Sequence, residues 1–199
     1  MVKIVLASES NARKKLLKKM GIKFSVAGSN VRESKSLEKG CGALVINNAL
    51  RKAVNAAKAL RSGIVIAADT VVLAGGKVVG KPRDIRDASK TLKLLSKAPQ
   101  WVYTGIAVIE VESKKKFTDY DKTKIYMRRM TDKEIAGYFK KTSPLDKAGS
   151  FDIQGEGSLF IERIKGSFHN VVGLPVKKLS GILKKLGVRH NVPGDMYEK

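Results

Sequence analysis

The 199-residue chain has one cysteine, Cys41, and two histidines. A single thiol excludes an internal disulfide framework and any metal site built from several cysteines, and two imidazoles leave too little for a zinc centre made mainly of His and Cys. No stretch approaches the roughly 18 consecutive apolar residues of a membrane span. The apolar run within the opening MVKIVLAS is too short for a secretory signal. Aromatic residues are 6% of the chain, too sparse for an evident base-stacking platform. Neither GxxxxGKS/T nor GxGxxG occurs, so the chain has neither a Walker-type loop nor a Rossmann fingerprint. Acidic side chains are scarce as well: 18 Asp and Glu stand against 40 Lys and Arg, for a net charge of +22. These absences point to a soluble, cytoplasmic protein with an anionic partner and no membrane association.

Hydrophobic residues make up 43% of the chain, enough to build a core. The length suits one domain, expected over residues 1–190, with a polar tail over 191–199. Residues 1–61 carry 14 Lys and Arg and three acidic residues, so half of the net charge lies in the first third. That field attracts phosphate, on a nucleotide or on a polymer alike.

Strand and helix patterns alternate. Lys3–Leu6 is a short apolar strand, Ala12–Met20 a helix with Leu16, Leu17 and Met20 on one side, and Phe24–Val26 a second strand. Ala43–Leu60 reads as an Ala-rich helix. Ile64–Ala68 reads as a buried strand that delivers Asp69 and Thr70 at its end. Val71–Leu73, Gly75-Gly76 and Val78-Val79 then form a hairpin. Asp84 caps a helix with the stripe Ile85, Ala88, Leu92 and Leu95. Trp101–Val111 and Phe117–Met127 are β-prone, and Thr131 to Glu134 is a capping box opening a helix through Phe139. A Gly-rich stretch, 149–157, precedes the strand Leu159–Ile164. Pro175 opens a last helix through Val176, Leu179, Leu183 and Leu186, and the tail after Gly187 reads as loose. A hairpin among alternating strands and helices implies a mixed α/β sheet.

Several residues depart from a plain core-and-surface pattern. A carboxylate directly after a buried apolar run, as at Asp69, needs a cation, a metal or a wet cleft, although a cap would also explain it. Lys52 borders the apolar face of its helix, where a lysine is either paired or snorkelling. Small residues from Ser8 to Asn11 let a helix N-terminus face an anion. Arg13 in the first turn opposes the helix dipole unless it meets a phosphate. Lys81 sits between Gly80 and Pro82, on a stiff turn. Glu33, one of the few acids of the basic third, suits a metal ligand, a water-activating group or a local salt bridge.

Taken together these segments resemble the Maf family of nucleotide pyrophosphatases, related in fold to the inosine triphosphate pyrophosphatases. Leu6-Ala7-Ser8-Glu9-Ser10 through Arg13 and Leu16-Leu17 is similar to the family's opening LASxSPRRxxLL. Ala68-Asp69-Thr70 and Gly80-Lys81-Pro82 resemble its ADT and GKP motifs. Asp146 to Gly155 is similar to DKAGxYxIQG, and Asn170 to Pro175 closes the set. The resemblance spans residues 3–186. It implies a two-lobed, mixed-sheet α/β fold with a central cleft, cleavage of a nucleoside triphosphate between its α and β phosphates, a divalent cation (Mg²⁺ or Mn²⁺) and, in many members, a homodimer. The proton acceptor maps to Asp69. Substrate-binding positions map to Ser8, Arg13, Lys52 and Lys81, and metal ligands to Glu33 and Asp69. Base-choice positions map to Ala12, Thr70 and Gln154.

Gln154 agrees with the dTTP/UTP-preferring branch, because an amide pairs a pyrimidine edge through a donor and an acceptor. Ala12 replaces the specificity-linked arginine of the family pattern and can do neither. An inosine/xanthosine or modified-nucleotide pyrophosphatase therefore stands as one alternative. A basic nucleic-acid-binding protein is the alternative of another class, but no recognisable motif supports it.

Overall fold

The structure is a computed structural model that describes residues 2–29, 31–145 and 147–194. Seven strands form one sheet in the order β2-β1-β3-β5-β6-β7, with β4 paired to β3 off that path. The strands are β1 (Ile4–Leu6), β2 (Ser25–Val26), β3 (Ile64–Ala74), β4 (Lys77–Val79), β5 (Gln100–Glu110), β6 (Lys116–Met127) and β7 (Ile161–Lys165). β1 runs parallel to β2 and β3, and the other ladders are antiparallel. This is the mixed α/β sheet that the alternating pattern implies. The helices are α1 (Asn11–Lys19), α2 (Gly40–Ala57), α3 (Ile85–Leu95), α4 (Asp132–Lys141), α5 (Phe168–Val172) and α6 (Val176–Lys185).

Each face of the sheet is covered for a sequence reason. On one face α1 and α6 pack Leu16, Leu17, Met20, Leu179 and Leu183 against Ile4, Leu6, Ile64 and Ile66. On the other, α2 lays Ala49, Ala53 and Ala56 on Val5, Val65, Ala67 and Ala107. A second lobe gathers Leu92 and Leu95 of α3, Ile135 and Tyr138 of α4, and Phe151, Ile153, Phe160 and Phe168. Helix starts follow side-chain chemistry. Ser10 accepts from the N–H of Arg13, Asp84 from that of Asp87, and Thr131 closes the expected capping box with Glu134.

The two lobes leave a break in the sheet between them. β1 pairs β3 over Ile64–Ile66 and β4 pairs it over Val72–Ala74, so one edge of β3 has no strand partner over residues 67–71 among the described ladders. Asp69 and Thr70 lie in that gap.

Some expectations are corrected. Asp69 does not end a strand: β3 continues to Ala74, held by an unbroken ladder with β5. What ends near it is β1, at Leu6, so the site opens beyond the parallel segment. Ile85 is 49% exposed and outside the α3 stripe, which Ala88, Leu92 and Leu95 make alone. The strand expected from Leu159 starts at Ile161, because 156–160 forms a 3-10 turn that buries Phe160 and turns Leu159 outward. α5 went unpredicted, since five residues carry too little periodicity. Residues 188–191 are held rather than loose. Val188 packs on the core, Asn191 N–H donates to Met20 O at 2.9 Å, and His190 Nε2 meets Ser180 Oγ at 2.7 Å. His190 Nδ1 faces the Val188 carbonyl, which only accepts, so Nδ1 carries the proton and Ser180 donates to Nε2. Residues 195–199 of the expected tail, and Asp146 of the fourth motif, lie outside the described residues.

Candidate active site

A cleft of about 810 Å³ opens at the gap in the sheet beside β3. It is lined by Ser8, Ala12 and Arg13 from the start of α1, Glu33 from the following loop, Asn48 and Lys52 from α2, and Asp69 and Thr70 from β3. Lys81, Lys147 and Gln154 close it from the second lobe. Every residue expected to form the site lies on this one cleft.

At its floor are Lys52 and Asp69, 7% and 3% exposed. Lys52 Nζ donates to Asp69 Oδ1 at 2.7 Å and to Glu33 Oε1 at 2.6 Å. Lys52 is therefore not a snorkelling lysine. α2 buries Cys41, Leu44, Val45, Asn48, Ala49, Lys52, Ala53 and Ala56, and the lysine is inside that stripe. A buried charge is tolerated there because it meets two carboxylates. Burial pushes the Glu33 carboxyl upward, but its hydrogen bond and attraction to Lys52, with Lys81 also near, outweigh this and hold it below its ordinary value. Asp69 Oδ2 is not left open: Asn48 Nδ2 donates to it at 2.9 Å.

Close approach makes this contact possible. Asp69 pairs with Gly105 across the β3–β5 ladder. A Cβ at Gly105 would lie 2.4 Å from the Val45 carbonyl carbon and 2.6 Å from Ile46 N. The helix backbone thus rests on the sheet beside Asp69, and one and two turns further it delivers Asn48 and Lys52.

Thr70 points to the opposite face of the same strand, where Arg13 is fixed by three bonds. Its Nε donates to Gly173 O at 2.8 Å, Nη1 to Ser8 Oγ at 3.1 Å and Nη2 to Thr70 Oγ1 at 3.0 Å. Thr104 Oγ1 gives its proton to Asn170 O at 2.8 Å, so Thr70 donates in the 3.0 Å contact between the two hydroxyls. The chain Arg13, Thr70, Thr104, Asn170 carbonyl has a single direction. Gly173 ends α5 at φ 108, and a Cβ there would meet Thr70 Oγ1 at 3.3 Å and Arg13 Nε at 3.5 Å. Burial pulls the Arg13 guanidinium below its ordinary value, and Asp69 and Glu33 oppose that pull. Three of the five guanidinium N–H groups are engaged, so two remain for an anion.

Lys81 is exposed on the cleft wall, and the adjacent Gly80 carbonyl accepts from Gly149 N–H at 3.1 Å, which ties its turn to the second lobe. Gln154 N–H donates to Asp152 Oδ1 at 2.9 Å, and its side chain faces the cleft with Ala12. Three members went unassigned by sequence reasoning: Asn48, Thr104 and Asn170. Asn48 carried a signal, a polar residue four positions before Lys52 within an apolar stripe. Asn170 opens the closing motif, but its role there comes from a short helix; Thr104 carried no signal, because its role comes from strand register.

A mixed sheet broken over a basic cleft around a buried carboxylate matches the architecture implied by the motifs, and the chain belongs to the Maf-like protein family, whose model matches residues 3–186. It is 41% identical over 185 residues to the dTTP/UTP pyrophosphatase of Dictyoglomus turgidum, covering 92% of this chain and 96% of that protein. It is 43% identical over 185 residues to the dTTP/UTP pyrophosphatase of Caldanaerobacter subterraneus, covering 92% and 89%. The dTTP/UTP pyrophosphatase of Methanosarcina barkeri is 41% identical over 189 residues, covering 94% and 96%.

Proposed function

We propose that this protein is a nucleoside triphosphate pyrophosphatase that hydrolyses dTTP and UTP to the monophosphate and pyrophosphate. The observation that carries the reading is the Asp69–Lys52–Glu33 cluster, with Asp69 and Lys52 buried, set in one cleft with Arg13 and Lys81. Cleaving a phosphoanhydride requires positioning and charge neutralisation more than covalent chemistry. Arg13, with two free N–H groups, and Lys81 hold triphosphate oxygens, and Ser8 presents its hydroxyl at the same mouth. Asp69 accepts the proton of the attacking water as the α–β anhydride bond breaks and pyrophosphate leaves. Lys52 holds Asp69 in place through its contact at Oδ1. A neutral serine nucleophile is not needed, and Ser8 Oγ is engaged by Arg13 and by Ser10 N–H rather than by an imidazole.

The donor set fits a divalent cation that arrives with the nucleotide. Among the described residues no group of three or more His, Cys, Asp and Glu could cage an ion. Mg²⁺ commonly takes one or two carboxylates and completes its shell with substrate phosphates and water. Glu33, with a half-exposed side chain, and Asp69 are those carboxylates. Mg²⁺ or Mn²⁺ bound there would polarise the scissile phosphoryl group and acidify the attacking water.

Gln154 and Thr70, with Ala12 beside them, are the positions proposed to choose the base. A nucleoside triphosphate substrate supports a cytoplasmic location. The family resemblance supports a homodimer. No helix among the described residues is long and apolar enough to cross a membrane. The test is product analysis with Mg²⁺, Mn²⁺ or EDTA across a panel of nucleoside triphosphates. Pyrophosphate release from dTTP and UTP, abolished by EDTA, supports the reading. Release of orthophosphate alone, or activity that survives EDTA, overturns it.

A further inference from the structure

We infer that Asn48 is a positioning residue that holds both carboxylates of the cleft in register, Asp69 directly and Glu33 through the backbone of Ser34. This rests on the pyrophosphatase reading for its kinetic consequence, though not for its geometry. Asn48 is 2% exposed. Its Oδ1 accepts from Ser34 N–H at 2.9 Å, and its Nδ2 donates to Ser34 O at 3.1 Å and to Asp69 Oδ2 at 2.9 Å. Both amide protons are committed, and one carbonyl lone pair is used. The amide therefore grips Ser34 as a neighbouring strand would, through its N–H and its C=O together.

The consequence falls on two groups at once. Ser34 follows Glu33 in a segment with no helix or strand of its own, 31–37. The two bonds from Asn48 fix that segment to α2 next to Glu33. Asn48 and Lys52 are one helical turn apart, so α2 offers a neutral donor to Oδ2 and a cation to Oδ1 of the same carboxylate. Asp69 is thereby held at both oxygens in one rotamer. Lys52 does not do this alone, because its contact with Asp69 is at Oδ1.

An amide is the side chain this position needs. Aspartate keeps the size and the acceptor for Ser34 N–H, but sets a like charge against Asp69 Oδ2 and an acceptor against Ser34 O. Alanine removes all three bonds. The two variants separate the limbs of the clamp.

The experiment combines steady-state kinetics on dTTP with hydrogen–deuterium exchange of the Ser34 amide in the same proteins. In Asn48→Ala, Ser34 exchange accelerates at least tenfold and kcat falls about 10–100-fold, the usual loss when a group that orients a reacting or ligating carboxylate is removed. KM for dTTP changes less than about threefold, because Arg13 and Lys81 stand on other elements. In Asn48→Asp, Ser34 stays protected while kcat falls at least as far. Unchanged Ser34 exchange in Asn48→Ala overturns the clamp, whether or not the wild type turns over dTTP. Wild-type kcat in Asn48→Asp overturns the Asp69 limb. If Asn48→Ala does not fold, Asn48→Asp decides through the same two readouts. A wild type that releases no pyrophosphate refutes the pyrophosphatase reading and leaves the exchange result to judge the clamp.

Discussion

Asp69 and Gly105 are direct partners across the β3–β5 ladder, and the missing side chain at Gly105 is what lets α2 descend far enough to hold Asp69. The geometry around Asp69 thus depends on a residue that has no side chain. Gly105→Ala places a methyl carbon within 2.4–2.6 Å of the backbone at Val45 and Ile46. Neither the helix backbone nor a central strand yields cheaply, so overpacking of about 1–3 kcal/mol is expected. That lowers the melting temperature by roughly 2–12 °C for a domain of this size. Because α2 is displaced beside Asn48 and Lys52, kcat should fall more than stability alone explains. A Gly105→Ala enzyme with wild-type kcat below its melting point would refute the link.

Asp69→Asn should abolish turnover while the fold persists. The amide is nearly isosteric but cannot accept the proton, and loss of a general base costs about 10²–10⁴ in rate. Its single oxygen can face Lys52 or Asn48, not both, so one donor then faces a donor and a modest fall in melting temperature accompanies the loss. Activity within about threefold of wild type would make Asp69 a structural residue on that same scale.

Lys52→Met keeps the apolar stem and removes the charge. With a snorkelling lysine the change would be neutral or stabilising, but Lys52 lies between Asp69 and Glu33 at 2.7 and 2.6 Å. Its loss leaves a buried carboxylate facing a second one without a cation. Breaking such a buried pair costs about 3–5 kcal/mol. Both kcat and the melting temperature should fall, the latter by roughly 6–20 °C. A rise in melting temperature would show that the buried cluster carries no structural weight.

Glu134 gives a pH-dependent contribution away from the site. Its hydrogen bond from Arg128, with backbone and side-chain bonds from Thr131, lowers its pKa from 4.5 to about 2. The folded value lies below the unfolded one, so this contribution is complete above about pH 4.5 and is lost as pH falls towards 2. Amides in the first turn of α4 should exchange faster across that window, and Glu134→Gln should flatten the dependence. A Glu134 carboxyl that titrates near 4.5 in the folded protein contradicts the capping geometry.

Most of the fold was legible because its helices and strands are amphipathic and capped by side chains. Thr131 and Glu134 announce α4, and the apolar run at 64–68 announces the central strand. The site was legible as a set of residues and less so as an arrangement. Asp69 and Thr70 are neighbours in sequence but face opposite sides of β3, so one joins Lys52 and Asn48 while the other joins Arg13 and Thr104. Strand length decides this, and local pattern does not reveal where β3 ends. Gly105 likewise looks like a weak point in a strand until α2 is placed upon it.

Base choice is the last expectation, and it centres on Ala12. The Maf pattern places an arginine there, and Ala12 offers neither charge nor donor to the cleft that Gln154 also lines. Gln154 can give a donor and an acceptor to a pyrimidine edge, and a site whose polar groups are left unpaired by the wrong base rejects that base. A neutral hydrogen bond lost in a buried site costs about 1 kcal/mol or more, so one glutamine yields on the order of tenfold discrimination. The wild type should therefore prefer dTTP and UTP to CTP, GTP and ITP by a modest margin in kcat/KM. Ala12→Arg restores a donor at the first turn of α1 and should widen that margin several-fold. Leading activity on ITP or GTP would replace the pyrimidine assignment with that of an inosine-type pyrophosphatase. Unchanged selectivity in Ala12→Arg would place base choice on Gln154 and Thr70 alone.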